Sequence, residues 1–126
     1  MKLNAIIDTL TPAQINWLAD MGITKYTYED GKVNVQGDVD ISNKKLKAIP
    51  VKFGVVSGHF NCYGNKLPSL AGAPREVGGN FYCFENKLPS LAGAPREVGG
   101  KFSCLDNFTS EPDHSFINID GEFKWK

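Results

Sequence analysis

Two consecutive stretches of 21 residues are near-copies of each other, and they limit the fold more than anything else in the chain. Gly58 to Gly78 reads GHFNCYGNKLPSLAGAPREVG, Gly79 to Gly99 reads GNFYCFENKLPSLAGAPREVG, and the two differ at only four positions. A unit this short cannot bury its own apolar face and must stack on its neighbours, which is the logic of a solenoid. Within the unit, Phe81 and Cys83 alternate with Tyr82 and Phe84, the period of two that a strand requires. Asn86 comes where the strand must turn, and Leu88 and Leu91 follow at i and i+3. Gly93-Ala94-Pro95 breaks further regular structure, Val98 points back inward, and Gly99-Gly100 lets the backbone bend into the next strand. Each unit reads as one coil of a parallel superhelix.

The frame extends in both directions. Gly37 to Ser57 is a diverged first copy, in which Val39, Ile41, Leu46, Ile49 and Val56 match Phe60, Cys62, Leu67, Leu70 and Val77. Asn43 falls one place early, so the Asn turn is not expected to begin properly there. From Gly100 a fourth copy starts with Phe102, Cys104 and Asn107, then fails where Thr109 and Pro112 take the two Leu places. Three coils and a strand are expected over residues 37–110.

The core pattern F-x-C-x-x-N-x-L-x-x-L resembles the leucine-rich repeat signature, with Phe and Cys in the two strand Leu places. The fuller form, G-x-F-x-C-x-x-N-x-L-x-x-L-x-G-A-P-x-x-V-G, is similar to repeats of tailed-phage proteins. This resemblance to phage-type leucine-rich repeat proteins covers roughly residues 37–110. It implies a parallel sheet on a concave face with an irregular convex side. For a binding role it also implies a host protein as target and the host cytoplasm as location.

The flanks read as caps of one domain spanning residues 1–126. In residues 1–36, Leu3, Ile6, Ile7 and Leu10 suggest a short amphipathic helix. Thr11-Pro12-Ala13-Gln14 then carries the N-cap, N1 proline and Gln of a capping box. That second helix is expected to bury Ile15 and Leu18 and to stop at Gly22. Ile23 to Tyr28, Asp30-Gly31 and Val33 to Val35 read as a hairpin beside the strand of the first coil. In residues 111–126, Ile117 and Ile119, Asp120-Gly121, then Phe123 and Trp125 read as a second hairpin. Caps of this kind cover the open end of a solenoid.

Charge and composition exclude several roles. Fourteen basic residues balance 14 acidic ones, against a polyanion binder, and Pro12 to Met21 carries no Lys or Arg with which to read DNA. No apolar run reaches the length of a membrane span, and Met1-Lys2 opens no signal-peptide core; a soluble intracellular monomer is expected. Cys62, Cys83 and Cys104 recur every 21 residues at an inward strand place. A disulfide or soft-metal site would need a different pattern: the count is odd, there is no CxxC, and no His shares the period. They read as core, and no metal or cofactor is expected. His59 and His114 lack triad partners, and Gly78-Gly79 and Gly99-Gly100 are corners rather than phosphate cradles. No enzyme is expected.

Function then falls to the outward strand positions. These are His59, Asn61, Tyr63 and Gly64 in the second coil, and Asn80, Tyr82, Phe84 and Glu85 in the third. Lys101, Ser103, Leu105 and Asp106 follow in the fourth, with Asp38, Asp40 and Ser42 in the first. Tyr63, Tyr82, Phe84 and Leu105 form an apolar patch of the kind that anchors interfaces. The four differences between the copies, at 59/80, 61/82, 63/84 and 64/85, all fall on this surface. A protein-binding face made of His59, Asn61, Tyr63, Asn80, Tyr82, Phe84, Glu85, Lys101, Ser103 and Leu105 is expected. A carbohydrate or peptidoglycan binder, or a virion structural component, is the alternative.

Overall fold

A computed structural model describes residues 9–126. Its elements are α1 (Pro12–Asp20), β1 (Tyr26–Glu29), β2 (Lys32–Val35), β3 (Val39–Asp40), β4 (Phe53–Val56) and β5 (Phe60–Asn61). They continue with β6 (Glu76–Val77), β7 (Phe81–Tyr82), β8 (Glu97–Val98), β9 (Phe102–Ser103), β10 (Asn118–Ile119) and β11 (Phe123–Lys124). The chain is a β-solenoid with two sheets. A phenylalanine sheet runs β11-β9-β7-β5-β3 and a valine sheet runs β1-β2-β4-β6-β8-β10. Every pairing between coils is parallel, with Val39 opposite Phe60, Phe60 opposite Phe81 and Phe81 opposite Phe102. The 21-residue frame is therefore the register itself.

The side expected to be irregular holds the second of these sheets. Val56, Val77 and Val98 stack in register one coil apart. Glu-Val is too short to show a period of two, so this ladder leaves no trace in the alternation of the sequence. The two sheets meet at the Gly-Gly corner. Gly37, Gly58, Gly79, Gly100 and Gly121 are stacked there, and from Gly58 onward each N–H donates to the preceding glycine carbonyl at 2.9 Å. A Cβ on Gly78 or Gly99 would run into the backbone carbonyl of the coil before it, and one on Gly79 into the His59 ring. The corner is glycine because coils approach there backbone to backbone.

Inside, one buried cluster runs from Leu18 to Ile117. Phe60, Phe81 and Phe102 form a column with ring centroids 5.7 and 5.1 Å apart, and Phe123 continues it at 5.5 Å. Leu67, Leu70, Leu88 and Leu91 fill the third side. Beside them lies an Asn ladder. Asn65 Oδ1 accepts from the N–H groups of Lys44 and Leu46, and its Nδ2 donates to the carbonyls of Ile41 and Cys62. Asn86 and Asn107 repeat the arrangement, Nδ2 bridging the Cys62 and Cys83 carbonyls in one and those of Cys83 and Cys104 in the other. Each Asn thus ties two coils at the bend and satisfies backbone groups that a strand end leaves open. Asn43, one place early, instead adopts φ 54°, and the ladder begins at Asn65.

The N-terminal cap holds in part. The expected helix at Leu3 to Leu10 falls almost wholly outside the described residues. α1 has the full Thr11/Gln14 capping box, and it ends with Gly22 at φ 76° and Ile23 N–H donating to the Leu18 carbonyl at 2.9 Å, a Schellman closure. Leu18 is buried, but Ile15, expected beside it, is 47% exposed; Trp17 packs on Phe53 instead, centroids 6.4 Å apart. The hairpin forms as β1–β2 about Asp30-Gly31, both at positive φ as a tight hairpin turn requires. It extends the valine sheet by pairing β2 with β4 rather than lying beside β3.

The C-terminal hairpin is a correction. β10 pairs parallel with β8, and β11 parallel with β9. Asp120-Gly121 occupies the place of Gly99-Gly100 and turns the solenoid corner, with Asp120 N–H bonded to the Val98 carbonyl and Gly121 N–H to that of Gly100. Ser115 to Trp125 is thus a further part-coil in frame. Its corner lost one glycine, which made it look like a reversal.

Candidate protein-binding face

The outward positions of the phenylalanine sheet form three rows along the solenoid, one residue per coil. The row nearest the glycine corner is Asp38, His59, Asn80, Lys101 and Glu122. Its members are tied into the fold. Asp38 Oδ1 accepts the His59 N–H, His59 Nδ1 accepts the Asn80 N–H, and Asn80 Oδ1 accepts the Lys101 N–H, each at 2.8 Å. These side chains cap one coil onto the next. The acceptor atoms that Asp38, His59 and Asn80 turn toward the next coil are therefore not open to a partner.

The middle row is Asp40, Asn61, Tyr82, Ser103 and Lys124, set by the strand register. Tyr82 is half-buried, and its hydroxyl accepts from Asn80 Nδ2 at 2.9 Å. Ser103 points outward yet is only 7% exposed. A small residue between Tyr82 and Lys124 lies at the bottom of a notch, so it offers less contact than the sequence suggested. Asp40 is exposed and accepts from the Ser42 N–H and hydroxyl.

The outer row is Ser42, Tyr63, Phe84, Leu105 and Lys126. Tyr63 and Phe84 stack with centroids 4.4 Å apart and ring planes within 9°, and Tyr82 leans on Phe84 at 6.0 Å. Tyr63, Tyr82 and Phe84 are therefore brought together, with Leu105 the next residue of the outer row, and all four are partly exposed. Beyond this row the chain bends at a left-handed residue in every coil: Asn43, Gly64, Glu85 and Asp106 have φ of 54°, 69°, 53° and 61°. Glu85 is exposed at that bend, at the margin of the patch.

Behind the rows, Cys62, Cys83 and Cys104 are free and buried. Burial pushes the Cys62 and Cys104 thiols up to about 12 and Cys83 well above its ordinary value, the neighbouring thiols adding to the latter. Such thiols are neutral and unreactive at neutral pH. Among the described residues no group of three or more His, Cys, Asp or Glu is placed to hold a metal, and no described helix is long and apolar enough to cross a membrane. His114 stacks on Phe123, centroids 3.7 Å apart.

The sequence reading missed Lys124 and Lys126, the far ends of the middle and outer rows. The spacing from Phe102 to Phe123 carried that signal. Comparison with protein-family models, curated proteins and solved structures found no match.

Proposed function

We propose that this chain is a non-catalytic protein-binding module that uses the outward face of the phenylalanine sheet. The stacked pair Tyr63 and Phe84, with Tyr82 against it, carries the reading. At the equivalent places the first coil has Ser42 and Asp40, so the coil does not need aromatics there. Three partly exposed rings packed on one another form the rigid apolar anchor that interfaces favour. A sugar site fits less well, because the Tyr63–Phe84 stack already covers one face of each ring and leaves less of it for a sugar to lie on. From the resemblance of the repeat to phage proteins, the target is a protein of the bacterial host, a defence protein among the candidates, which the module inhibits by occlusion in the host cytoplasm.

The test is capture from host lysate with the wild-type chain and with Tyr82→Ala, Phe84→Ala, Arg75→Ala and Arg96→Ala. The two aromatic variants should each weaken binding by about 30-fold, roughly 2 kcal/mol, while melting close to the parent. The Arg variants lie by the valine sheet and should bind normally. Capture that survives both aromatic changes and falls with the Arg changes places the site on the other face.

A further inference from the structure

Read against its own reverse, the middle outward row sets acid against base, and the outer row sets apolar centre against apolar centre. The middle row, Asp40-Asn61-Tyr82-Ser103-Lys124, is acid, amide, aromatic, hydroxyl and base. The outer row, Ser42-Tyr63-Phe84-Leu105-Lys126, is hydroxyl, three apolar residues and base. A two-fold axis lying in the contact plane and crossing the solenoid at the third coil superposes each row on its own reverse. It sets Asp40 against Lys124 of a second copy, Asn61 against Ser103, Tyr63 against Leu105, and Tyr82 and Phe84 against themselves. An isologous interface has this form, one patch meeting itself with opposite charges at its two ends.

We propose that this face pairs with a second copy of the chain, the two solenoids running antiparallel and the aromatic cluster lying on the axis. The inference rests on the reading of this face as a contact surface and names a partner for it. The ends decide the direction. A parallel arrangement sets Asp40 against Asp40, whereas the antiparallel one gives two Asp40–Lys124 pairs and leaves Tyr82 and Phe84 to exclude water between them. In the corner row the same operation brings Asp38 near Glu122, so contact is weighted to the other two rows; Lys124 lies 3.8 Å from Glu122 and tempers that charge. Five strands at about 4.8 Å span roughly 19 Å, and three outward rows span about 14 Å. That footprint, near 270 Å², is well below the roughly 800 Å² per partner of a standard stable interface. The pair is therefore weak and reversible, so that a better-fitting protein partner displaces it.

Sedimentation equilibrium of the full chain over a range of concentrations should show a monomer–dimer equilibrium. Asp40→Lys turns both end attractions into repulsions and should weaken it by about tenfold, given the modest worth of each exposed pair. Combining it with Lys124→Asp should restore the parent value to within about threefold. Within one chain Asp40 and Lys124 stand four coils apart, out of reach of a zero-length carbodiimide cross-link, so an Asp40–Lys124 isopeptide found by peptide mass spectrometry comes only from two copies. A strict monomer at every concentration overturns the pairing. So does a dimer indifferent to both charge changes and lacking that cross-link. If the chain is monomeric while Tyr82→Ala and Phe84→Ala still abolish capture of a host protein, self-pairing falls and the contact face stands. If the dimer forms with the Asp40–Lys124 link but those variants leave host capture intact, the host-binding reading falls and self-pairing stands.

Discussion

The second and third coils are close to a controlled experiment, because 17 of their 21 residues were kept and four were changed. The structure divides the four changes in two. At 59/80 a His and an Asn do one job, each offering an acceptor to the backbone N–H of the next coil at 2.8 Å. At 64/85 a Gly and a Glu hold one left-handed conformation, with φ of 69° and 53°. At 61/82 and 63/84 the register asks only for an outward side chain. There the third coil has Tyr82 and Phe84 where the second has Asn61 and Tyr63. The difference between the coils thus separates positions that serve the solenoid from positions left free for a partner. It narrows the candidate face to the aromatic rows and moves His59 and Asn80 toward structural duty.

The largest expected effect tests whether the two coils are equivalent inside. Leu67 and Leu88 hold the same place and are both buried. Leu67→Ala and Leu88→Ala should each cost roughly 2–5 kcal/mol in chemical denaturation, although Leu67 has Leu88 in the coil above it where Leu88 has Thr109. A variant that melts like the parent would put that Leu outside the core. A wide gap between the two would show that the neighbouring coil matters more than the local sequence.

The thiol column should give a smaller, pH-dependent effect. An acid whose folded pKa lies above its unfolded one stabilises the fold fully below the unfolded value and loses that contribution as pH rises through the folded value. For Cys62, between 9.0 unfolded and about 12 folded, stability should be flat up to about pH 9 and then fall. The loss should reach about 2 kcal/mol by roughly pH 10.5 from this thiol alone. Cys62→Ala should flatten part of that slope at some cost in packing. A wild-type curve without an alkaline fall, or rapid labelling of all three thiols in the folded chain, breaks the comparison between buried column and solvated rows.

These outcomes also mark what the sequence could convey. The Phe, Cys, Asn and Leu places were legible because each repeats at a fixed period and each is chemically distinctive. The capping box of α1 and the Asp30-Gly31 turn were legible because their signals are local. The valine sheet was not, since two-residue strands leave no alternation. The final part-coil was hidden because Asp120-Gly121 is a hairpin signal in isolation and a solenoid corner only when Gly100 lies beneath it. Ile15 against Trp17 was misjudged because a helix of nine residues has too few turns for its apolar stripe to be fixed by spacing. The corner row failed for a further reason. Nothing in a lone His or Asn announces that its acceptor is taken by a backbone N–H 21 residues on.

The smallest effect is the sharpest, because it transplants one residue between the coils. Glu85 sits in the left-handed region that Gly64 fills one coil earlier. A side chain with a Cβ pays about 1–2 kcal/mol for that conformation, and Glu lacks the short polar group that eases it for Asn or Asp. Glu85 is exposed, so its removal forfeits little burial. Against the relief of strain stands the greater freedom of glycine in the unfolded chain. The balance for Glu85→Gly should be a gain of roughly 0.5–1 kcal/mol, a rise of a few degrees in Tm for a domain of this size. The reverse exchange, Gly64→Glu, should cost more than that gain, because a Cβ there also meets the Asn43 side chain. A destabilised Glu85→Gly would mean that this carboxylate holds the third coil in a way the second does not need. A stabilised one that also loses partner binding would mean that strain is kept at Glu85 because the face uses it.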